Sequence, residues 1–386
     1  MGTGPSLFRT CKRIHTGIGC VIHLSEEIQR ISPSRILVIA DPEMKRVGAL
    51  DRLKELLAGG KFTLEEFEGI DIEPTLETLE RCLKWIGDRK FDAVIGLGGG
   101  SSMDVAKVAA AMIANGGSPE DYLGIEKIPQ PGVPMIMIPT TAGTGAEVTP
   151  NALLIDKKEK VKKSFVSSYL IPDVALVDPV LTVTLPPHLT ASTGMDALAH
   201  CLESYISLRA TPMTELISLE GIRRISGSLR EAYAHGENME ARYQMTLGSL
   251  YGGIALTNAG TTAVHALAYP LGGRYGISHG ISNAIMLPYV MKFNCLSNMG
   301  KFARIAEAMG EDLYGLNQRE AAFRAIDALF QLASDVKIPL HLKDLKIPKD
   351  AIPEMAADAM KWARLLTNNP RQMTQEDAAA IYGEAA

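Results

Sequence analysis

The amino-acid sequence predicts two domains: an α/β domain built on a mostly parallel sheet over residues 1–185, and an all-helical domain over residues 186–386. Three observations carry this prediction. Short β-rich runs alternate with helical segments from Arg35 to about Asp178, which is typical of βα units around a parallel sheet. After Leu185 to Pro187, apolar residues recur at helical spacing. A length of 386 residues with 46% hydrophobic content is ample for two cores.

The predicted elements of the first domain follow one another in a regular order. Gly, Pro and Asp bound the β-rich runs, and the segments between them place apolar residues three and four positions apart. Strands are expected at "RILVIAD", "FTLEEF", "DAVIGLGGG" and "VPMIMIPTT", and helices at residues 43–57, 75–88 and 102–114. The second domain is expected to open with the helix that contains "GMDALAHCLESY" (Gly194 to Tyr205).

Charge and cysteine usage restrict the partners and the compartment. The net charge is -5 with both signs mixed, which argues against a nucleic-acid surface and favours small-molecule partners. The five cysteines are scattered and never spaced as CxxC, so a reducing cytoplasm is expected. No apolar run approaches the roughly 18 residues of a membrane span, so no membrane partner is expected. A homodimer or higher homo-oligomer is the default expectation.

A glycine-rich turn joins a predicted strand to a predicted helix. "DAVIGLGGGSSMDVAK" runs from an apolar strand through Gly98, Gly99 and Gly100 into a helix expected to begin near Ser101 or Ser102. Glycines let the backbone approach a ligand, and a helix N-terminus offers free N–H groups to a pyrophosphate. A plain tight turn is the alternative. Because a second strand ends in "PTTAGTGAE", two such loops together indicate one Rossmann-like nucleotide site.

Asp41 ends the first predicted strand, and two interpretations of it stay open. An acidic residue at the carboxyl end of a strand can accept a hydrogen bond from an adenosine ribose and repel a 2′-phosphate, which predicts a preference for NAD(H). Alternatively, Asp41 simply caps the helix that begins at Pro42.

A second constellation lies in the helical half. Asp196 and His200 are four residues apart, so one helix face aims an oxygen and a nitrogen at one point. His265 and His279 bracket "HALAYPLGGRYGISHG", whose proline and glycines allow the two rings to converge. One carboxylate and three imidazoles suit a divalent metal ion. For the first pair alone, an ordinary Asp–His hydrogen bond is the alternative, and the other five histidines fit no informative pattern.

Taken together, these motifs resemble the iron-dependent (group III) alcohol dehydrogenase family. The resemblance covers nearly the whole chain and rests on "GGGSSMDVAK", "PTTAGTGAEVT", "GMDALAHCLESY", "HALAYPLGG" and "TNNPR" in family order. It implies a nucleotide-binding domain, a helical metal-binding domain and an active site in the cleft between them. By position, it assigns the metal, and through the metal the catalytic role, to Asp196, His200, His265 and His279. It assigns NAD(H) to Asp41, Gly98, Gly99, Gly100, Ser101, Ser102, Thr140, Thr141, Thr144, Asn151, Lys162 and Leu181.

Two positions depart from the family pattern. Some relatives carry a further, non-ligand histidine four residues after the third ligand, where this chain has Tyr269. Others have Asn before the proline at Pro74, near the adenosine end, where this chain has Glu73. Neither the histidine relay nor the Asn contact is carried over to this chain.

The expected activity is that of a metal-dependent NAD(H) alcohol dehydrogenase or aldehyde reductase acting on a small alcohol or aldehyde. A divalent ion polarises the substrate oxygen and stabilises the alkoxide, while the nicotinamide takes or gives hydride at the same carbon. The resemblance favours Fe²⁺, and Zn²⁺ suits the same donors. Two alternatives are a lyase of the dehydroquinate synthase type, which releases no NADH, and an inactive nucleotide-binding relative. The four intact candidate ligands argue against the second.

Overall fold

A computed structural model describes residues 5–71, 73–158 and 161–386 of the chain. These residues form two compact units. The α/β unit comprises residues 10–141 and 145–184. The helical unit comprises residues 185–386, the short segment 142–144 and the described residues up to Arg9.

The α/β unit alternates strands and helices along the chain. Its strands are β1 (Arg13–Thr16), β2 (Arg35–Ala40), β3 (Thr63–Phe67), β4 (Ala93–Gly98), β5 (Gly124–Ile125), β6 (Met135–Pro139), β7 (Asn151–Asp156), β8 (Val161–Val166) and β9 (Val174–Val177). Its helices are α1 (Leu24–Ile31), α2 (Pro42–Arg46), α3 (Ala49–Leu57), α4 (Leu76–Ile86) and α5 (Gly100–Asn115). Six of the strands form an all-parallel sheet in the order β1-β9-β6-β4-β2-β3.

Both faces of this sheet are covered, because consecutive residues of the central strands are buried on opposite sides. In β2, Ile36 and Val38 pack in the apolar cluster with α1 and α3, whereas Leu37 and Ile39 pack in the cluster with α4 and α5. Burial on both faces explains why "RILVIA" is a continuous apolar run rather than an alternating one. Since β2, β4 and β6 are adjacent and parallel, the loops that follow them emerge side by side at one edge.

A second, smaller sheet contains β5, β8 and β7 in that order. Strands β7 and β8 are antiparallel neighbours, and β5 pairs in parallel with β8. The lysine-rich segment from Lys157 to Lys163 begins with a turn at Lys157 and Lys158 and ends in β8 from Val161 onward, whereas Glu159 and Lys160 lie outside the described residues. The described part of this run is therefore a turn and a strand start.

The helical unit contains α-helices and short 3₁₀ turns, and residues 185–386 include no strand. Its central helix, α6, is buried from Thr190 to Ile206 except at Thr193, and it packs against α7, α8 and α10. No helix in the described part of the chain is both long and apolar enough to cross a membrane. The helices are α6 (Pro187–Ile206), α7 (Pro212–Ala234), α8 (Met239–Ala259), α9 (Ala263–Tyr275), α10 (His279–Cys295), α11 (Met299–Ala308), α12 (Gln318–Asp335), α13 (Ile352–Met360), α14 (Ala363–Leu366) and α15 (Gln375–Ala385).

This architecture confirms the predicted fold class, with corrections to individual elements. The segment 43–57, predicted as one helix, is split into α2 and α3, because Gly48 adopts a φ of 75° and interrupts the helical backbone. Helix α5 begins at Gly100, slightly before the predicted start. The sequence did not single out β1, β5 or the β7–β8 hairpin.

Candidate metal centre and nucleotide-binding edge

Four ligand-type side chains converge in the helical unit. Asp196 and His200 lie on α6, His265 lies in the first turn of α9, and His279 is the first residue of α10. One donor atom from each residue lies within 4.8 Å of the corresponding atoms of the other three. The first three are buried, and the side chain of His279 is 25% exposed. The structure thus brings together the four residues that the resemblance assigned to a metal.

The imidazole rings of His200 and His265 face each other through nitrogen atoms that carry no hydrogen. His200 Nδ1 donates to the carbonyl oxygen of Gly143 at 3.2 Å, and His265 Nδ1 donates to the Glu203 carboxylate. Both acceptors lack a proton, so each Nδ1 carries the ring hydrogen and each Nε2 presents a lone pair. The two Nε2 atoms are 3.1 Å apart. Opposed lone pairs at this distance fit a shared cation better than an ordinary hydrogen bond.

Asn283 places its amide nitrogen among the candidate ligand atoms. It lies four residues after His279 on α10, and its Nδ2 is 2.6 Å from Asp196 Oδ1, 3.1 Å from His265 Nε2 and 3.2 Å from His279 Nε2. Its Oδ1 is buried without a hydrogen-bond partner among the described residues. Buried polar atoms are seldom left unpaired, and a bound water or ion is one explanation of such an exception.

The surroundings set the protonation states that metal binding needs. Burial opposes ionisation of Asp196, but the imidazoles of His200, His279 and His265 hold the pKa of its carboxyl below the usual range. Burial lowers the pKa of His200, which favours the neutral ring. A carboxylate and a neutral imidazole are the forms that ligate a divalent ion, so the pKa directions of Asp196 and His200 both favour metal binding.

The first turn of α10 lies directly on the main chain of α6. A Cβ atom at Gly280 would be 2.7 Å from the carbonyl oxygen of Ser192 and 3.0 Å from its carbonyl carbon. These distances are shorter than packed atoms allow, so only glycine permits this approach. The contact brings His279 next to the helical turn that carries Asp196.

The residues assigned to NAD(H) lie mainly after three adjacent strands of the α/β unit. Asp41 follows β2, Gly98 ends β4, and Thr140 follows β6. The Thr140 N–H donates to the Gly98 carbonyl at 3.0 Å, and Ser102 Oγ donates to Asp41 Oδ2 at 3.3 Å. The structure therefore brings these loops together at one edge of the sheet, where the first turn of α5 holds Gly100, Ser101 and Ser102.

Gly98 and Gly99 are glycines for different reasons. Gly98 has a φ of 139°, and a Cβ there would lie 2.7 Å from Ser102 Oγ and 2.9 Å from Asp41 Oδ2. The loop itself therefore requires glycine at this position. Gly99 has ordinary extended backbone, and a Cβ there would meet Thr141 Cγ2 at 3.5 Å, a normal contact. Packing within the unit therefore does not require glycine at position 99.

Asp41 is a helix cap, as one of the two interpretations held. Its Oδ1 accepts a hydrogen bond from the backbone N–H of Glu43 at 3.0 Å, at the start of α2. Its other oxygen faces Ser102 in the first turn of α5. Burial raises the pKa of the Asp41 carboxyl above its ordinary value. The cap uses one oxygen, so it is compatible with a ribose contact through the other.

Two assigned residues extend this edge differently. Leu181 lies in the 3₁₀ turn Pro179–Thr182 after β9, which neighbours β6 in the sheet. Thr144 follows β6 in sequence but, with Ala142 and Gly143, belongs to the helical unit. The "PTTAGTG" loop therefore contributes residues to both units.

Asn151 and Lys162 lie on the small sheet and are not neighbours there. Asn151 begins β7, and its carbonyl accepts a hydrogen bond from the buried Lys107 Nζ at 2.5 Å. Lys162 on β8 pairs with Ile155, four residues along β7, which corresponds to about 13 Å of strand. Lys162 Nζ lies 3.8 Å from Glu73 Oε2, at the position where the chain departs from the family pattern.

Three groups that touch the candidate ligands were missed from sequence. They are the Glu203 carboxylate, the Asn283 amide and the Gly143 carbonyl. Spacing offered a signal for the first two, since Glu203 lies seven residues after Asp196 and Asn283 four residues after a ligand, each on the same helix face. A backbone carbonyl in a loop leaves no signal in residue types.

Comparison with known proteins covers both units. Residues 11–179 match the family described as iron-containing alcohol dehydrogenase, and residues 190–386 match the C-terminal part of the Fe-containing alcohol dehydrogenase family. Long-chain-alcohol dehydrogenase 1 of Geobacillus thermodenitrificans is 42% identical over 375 residues, which span 96% of this chain and 94% of that protein.

Solved structures share the fold over the full length. The crystal structure of 1,3-propanediol oxidoreductase gives a TM-score of 0.96 at 35% identity, covering 99% of this chain and 100% of that chain. Sulfoacetaldehyde reductase from Bifidobacterium kashiwanohense, solved in complex with NAD+, gives a TM-score of 0.89 at 29% identity and covers 99% of each chain. The chain therefore belongs to the iron-containing alcohol dehydrogenase family and is an oxidoreductase of the alcohol dehydrogenase type.

Proposed function

We propose that the protein is an NAD(H)-dependent alcohol dehydrogenase or aldehyde reductase whose divalent metal is held by Asp196, His200, His265 and His279. One observation carries the proposal: the Nε2 atoms of His200 and His265 lie 3.1 Å apart while both Nδ1 atoms are engaged elsewhere. Three imidazoles and one carboxylate suit Fe²⁺ and Zn²⁺ alike, and family membership favours Fe²⁺.

The residues of the chain prepare the site for carbonyl and alcohol chemistry. When bound, the metal and the nicotinamide supply Lewis acidity toward the substrate oxygen and a hydride donor or acceptor for the neighbouring carbon. Asp196 contributes the only negative charge among the four ligands, so a divalent charge is only partly neutralised and favours an oxygen that becomes negative. Burial of His200 and His265 excludes water and strengthens that effect. No nucleophilic side chain is needed.

We propose that NAD(H) binds at the edge formed after β2, β4 and β6. The N-terminus of α5 carries the partial positive charge of a helix start, which suits the pyrophosphate, and Gly99 leaves the backbone open to it. Asp41 is proposed to accept the hydrogen bond of the adenosine ribose. The NAD+ complex of sulfoacetaldehyde reductase supports the same cofactor here.

Tyr269 occupies the position where some relatives carry a non-ligand histidine. Its surroundings favour a packing role over a role in proton transfer. Its ring stacks on His279 with centroids 5.9 Å apart and lies 4.3 Å from the ring of Trp362. Burial raises the pKa of the Tyr269 phenol well above its ordinary value, so it stays protonated at physiological pH. We propose that Tyr269 supports His279 by packing and takes no part in proton relay.

We also propose a compartment, an oligomeric state and a substrate class for the enzyme. All five cysteines are free, buried thiols, which suits a reducing cytoplasm. A homodimer is the default assembly for such enzymes. A small alcohol or aldehyde is the proposed substrate; the relatives named above act on a long-chain alcohol, 1,3-propanediol and sulfoacetaldehyde, so chain length must be varied in the test.

The test is reconstitution of metal-free protein separately with Fe²⁺, under exclusion of oxygen, and with Zn²⁺. Each form is assayed with alcohols and NAD+ and with aldehydes and NADH, over a series from short to long chains. We expect stoichiometric metal binding and net NADH formation or consumption that depends on the metal. Metal and NAD binding without net redox turnover would favour the lyase alternative, and absence of metal binding would favour the inactive relative.

A further inference from the structure

Glu203 is a buried acid near the metal cluster, and both of its carboxylate oxygens accept hydrogen bonds. It lies on α6, seven residues after Asp196 and three after His200, and its side chain is inaccessible to solvent. A buried carboxylate is costly unless several donors compensate it. The donors that surround Glu203 therefore indicate what the charge does.

The two oxygens of Glu203 contact different groups. Oε1 accepts from Thr262 N at 2.9 Å, from Thr262 Oγ1 at 2.8 Å, from Val264 N at 2.8 Å and from His265 N at 3.4 Å. These donors form the start of α9, where the N-cap residue Thr262 makes no side-chain cap of its own. Oε2 accepts from His265 Nδ1. One carboxylate from α6 thus caps α9 with one oxygen and binds the ring of a candidate ligand with the other.

The second contact decides which nitrogen of His265 carries the proton. An ionised carboxylate only accepts, so the hydrogen must reside on Nδ1 and the lone pair on Nε2. That Nε2 lies 3.1 Å from His200 Nε2 and 3.1 Å from Asn283 Nδ2, within the cluster of candidate ligands. A proton on Nε2 would block ligation at that atom.

We propose that Glu203 is a positioning residue that holds His265 in the Nδ1–H form and thereby sets the metal affinity of the centre. The inference rests on the proposed metal site, and it assigns Glu203 no contact with metal or substrate. The competing explanation is that Glu203 serves only as the cap of α9. The two explanations predict different metal affinities and different ring forms of His265 when the charge of Glu203 is removed and its shape is kept.

The test compares Glu203→Gln with Thr262→Val. In Glu203→Gln, the amide oxygen still faces the four donors at the start of α9, and the amide NH₂ faces His265 Nδ1. A donor at that place makes Nδ1 an acceptor and moves the ring proton to Nε2. Thr262→Val removes one donor from the same cap and leaves the His265 contact intact. It therefore controls for loss of capping alone.

The first readout is Zn²⁺ affinity, measured by competition with a chromogenic chelator. We expect Glu203→Gln to bind Zn²⁺ about 10–100-fold more weakly than the wild type, and Thr262→Val to stay within about 3-fold of it. Equal weakening in both variants, or wild-type affinity in Glu203→Gln, would overturn the inference and leave Glu203 as a cap. Failure of the wild type to bind Zn²⁺ would overturn the proposed metal site and this inference with it.

The second readout needs neither metal nor activity. Long-range nitrogen–hydrogen correlation spectra of metal-free protein with isotope-labelled histidine distinguish the two neutral ring forms. His265 is assigned by the signal that disappears in His265→Gln. We expect the Nδ1–H form in the wild type and the Nε2–H form in Glu203→Gln. The Nε2–H form in the wild type would refute the inference even if Glu203→Gln failed to fold.

Discussion

Replacing Asp41 by Asn separates its two roles, because Asn caps a helix about as well as Asp but carries no charge. The bond from the Glu43 N–H to the residue at position 41 should survive, so we expect the free energy of unfolding to change by less than about 0.5 kcal/mol. Asp41→Ala serves as the matched control, since it removes both charge and cap and should cost about 1 kcal/mol of stability.

The expected effect on cofactor choice follows from the charges near Asp41. Two unit charges about 5 Å apart at an effective dielectric constant of about 20 repel by about 3 kcal/mol, or roughly a hundredfold in affinity. The two cations on α2 are already engaged in ion pairs, which reduces the compensation that they can offer to a 2′-phosphate. Lys45 pairs with Glu68 at 3.3 Å, and Arg46 pairs with Glu43. The repulsion of a 2′-phosphate should therefore reach most of that value at low salt.

The assay is kcat/KM with NAD(H) and NADP(H) for wild type, Asp41→Asn and Asp41→Ala, together with thermal unfolding of each. We expect the wild type to have a higher kcat/KM with NAD(H) than with NADP(H). In both variants the ratio of these two kcat/KM values should fall by up to about a hundredfold, chiefly because NADP(H) binds better. Only Asp41→Ala should unfold at a lower temperature. A wild-type preference for NADP(H), or an unchanged ratio in Asp41→Asn, would reduce Asp41 to a helix cap.

Three further predictions follow from the loops and ligands. Gly99→Val should raise the NAD+ dissociation constant in a calorimetric titration with little loss of stability. Gly98→Ala should lower the free energy of unfolding by about 1–3 kcal/mol, because the φ of Gly98 suits only glycine. A larger loss of stability in Gly99→Val than in Gly98→Ala would contradict this reasoning. His279→Ala should lose stoichiometric metal and turnover while keeping its circular dichroism spectrum, and retention of both metal and kcat would remove it from the site. Burial lowers the pKa of His200, so the unfolded chain binds more protons at this residue below pH about 6.5, and His200 destabilises the metal-free protein at pH 5.5 relative to pH 7.5. Burial raises the pKa of the Glu147 carboxyl to about 7, which acts in the opposite direction over the same range, so the contribution of His200 is measured as a difference between variants. The melting temperature of His200→Gln minus that of the wild type should be higher at pH 5.5 than at pH 7.5, and an equal difference at the two pH values would exclude His200 as the pH-sensitive group.

Much of the α/β unit could be predicted because its central strands are buried on both faces. Such strands read as continuous apolar runs bounded by Gly and Pro, as "RILVIA" does. The edge strand β1 and the lysine-rich β8 lack that signal, since most of their residues are only partly buried. Pairing with distant partners, not local pattern, determines these strands.

The candidate site was predictable to the extent that helix periodicity carried it. Asp196 and His200 follow from their spacing on one helix, whereas His265 and His279 were inferred from the proline- and glycine-broken segment between them and from the resemblance. The groups that contact these ligands, such as Gly143 and Glu203, could be identified only from the three-dimensional structure. Gly143 offers a carbonyl whose position depends on chain path, and Glu203 reaches a helix that begins about sixty residues later. Sequence separation hides contacts of this kind because they depend on the packing of distant helices.

The contact of Gly280 with Ser192 has a consequence for deciding which related sequences are working enzymes. Gly280 supplies no atom to the metal, yet an added methyl group there would push α10 away from α6 and carry His279 with it. A relative with all four donor residues but alanine at this position would look intact in an alignment and still bind metal poorly. Surveys that sort active from inactive members should therefore weigh this glycine alongside the donors themselves.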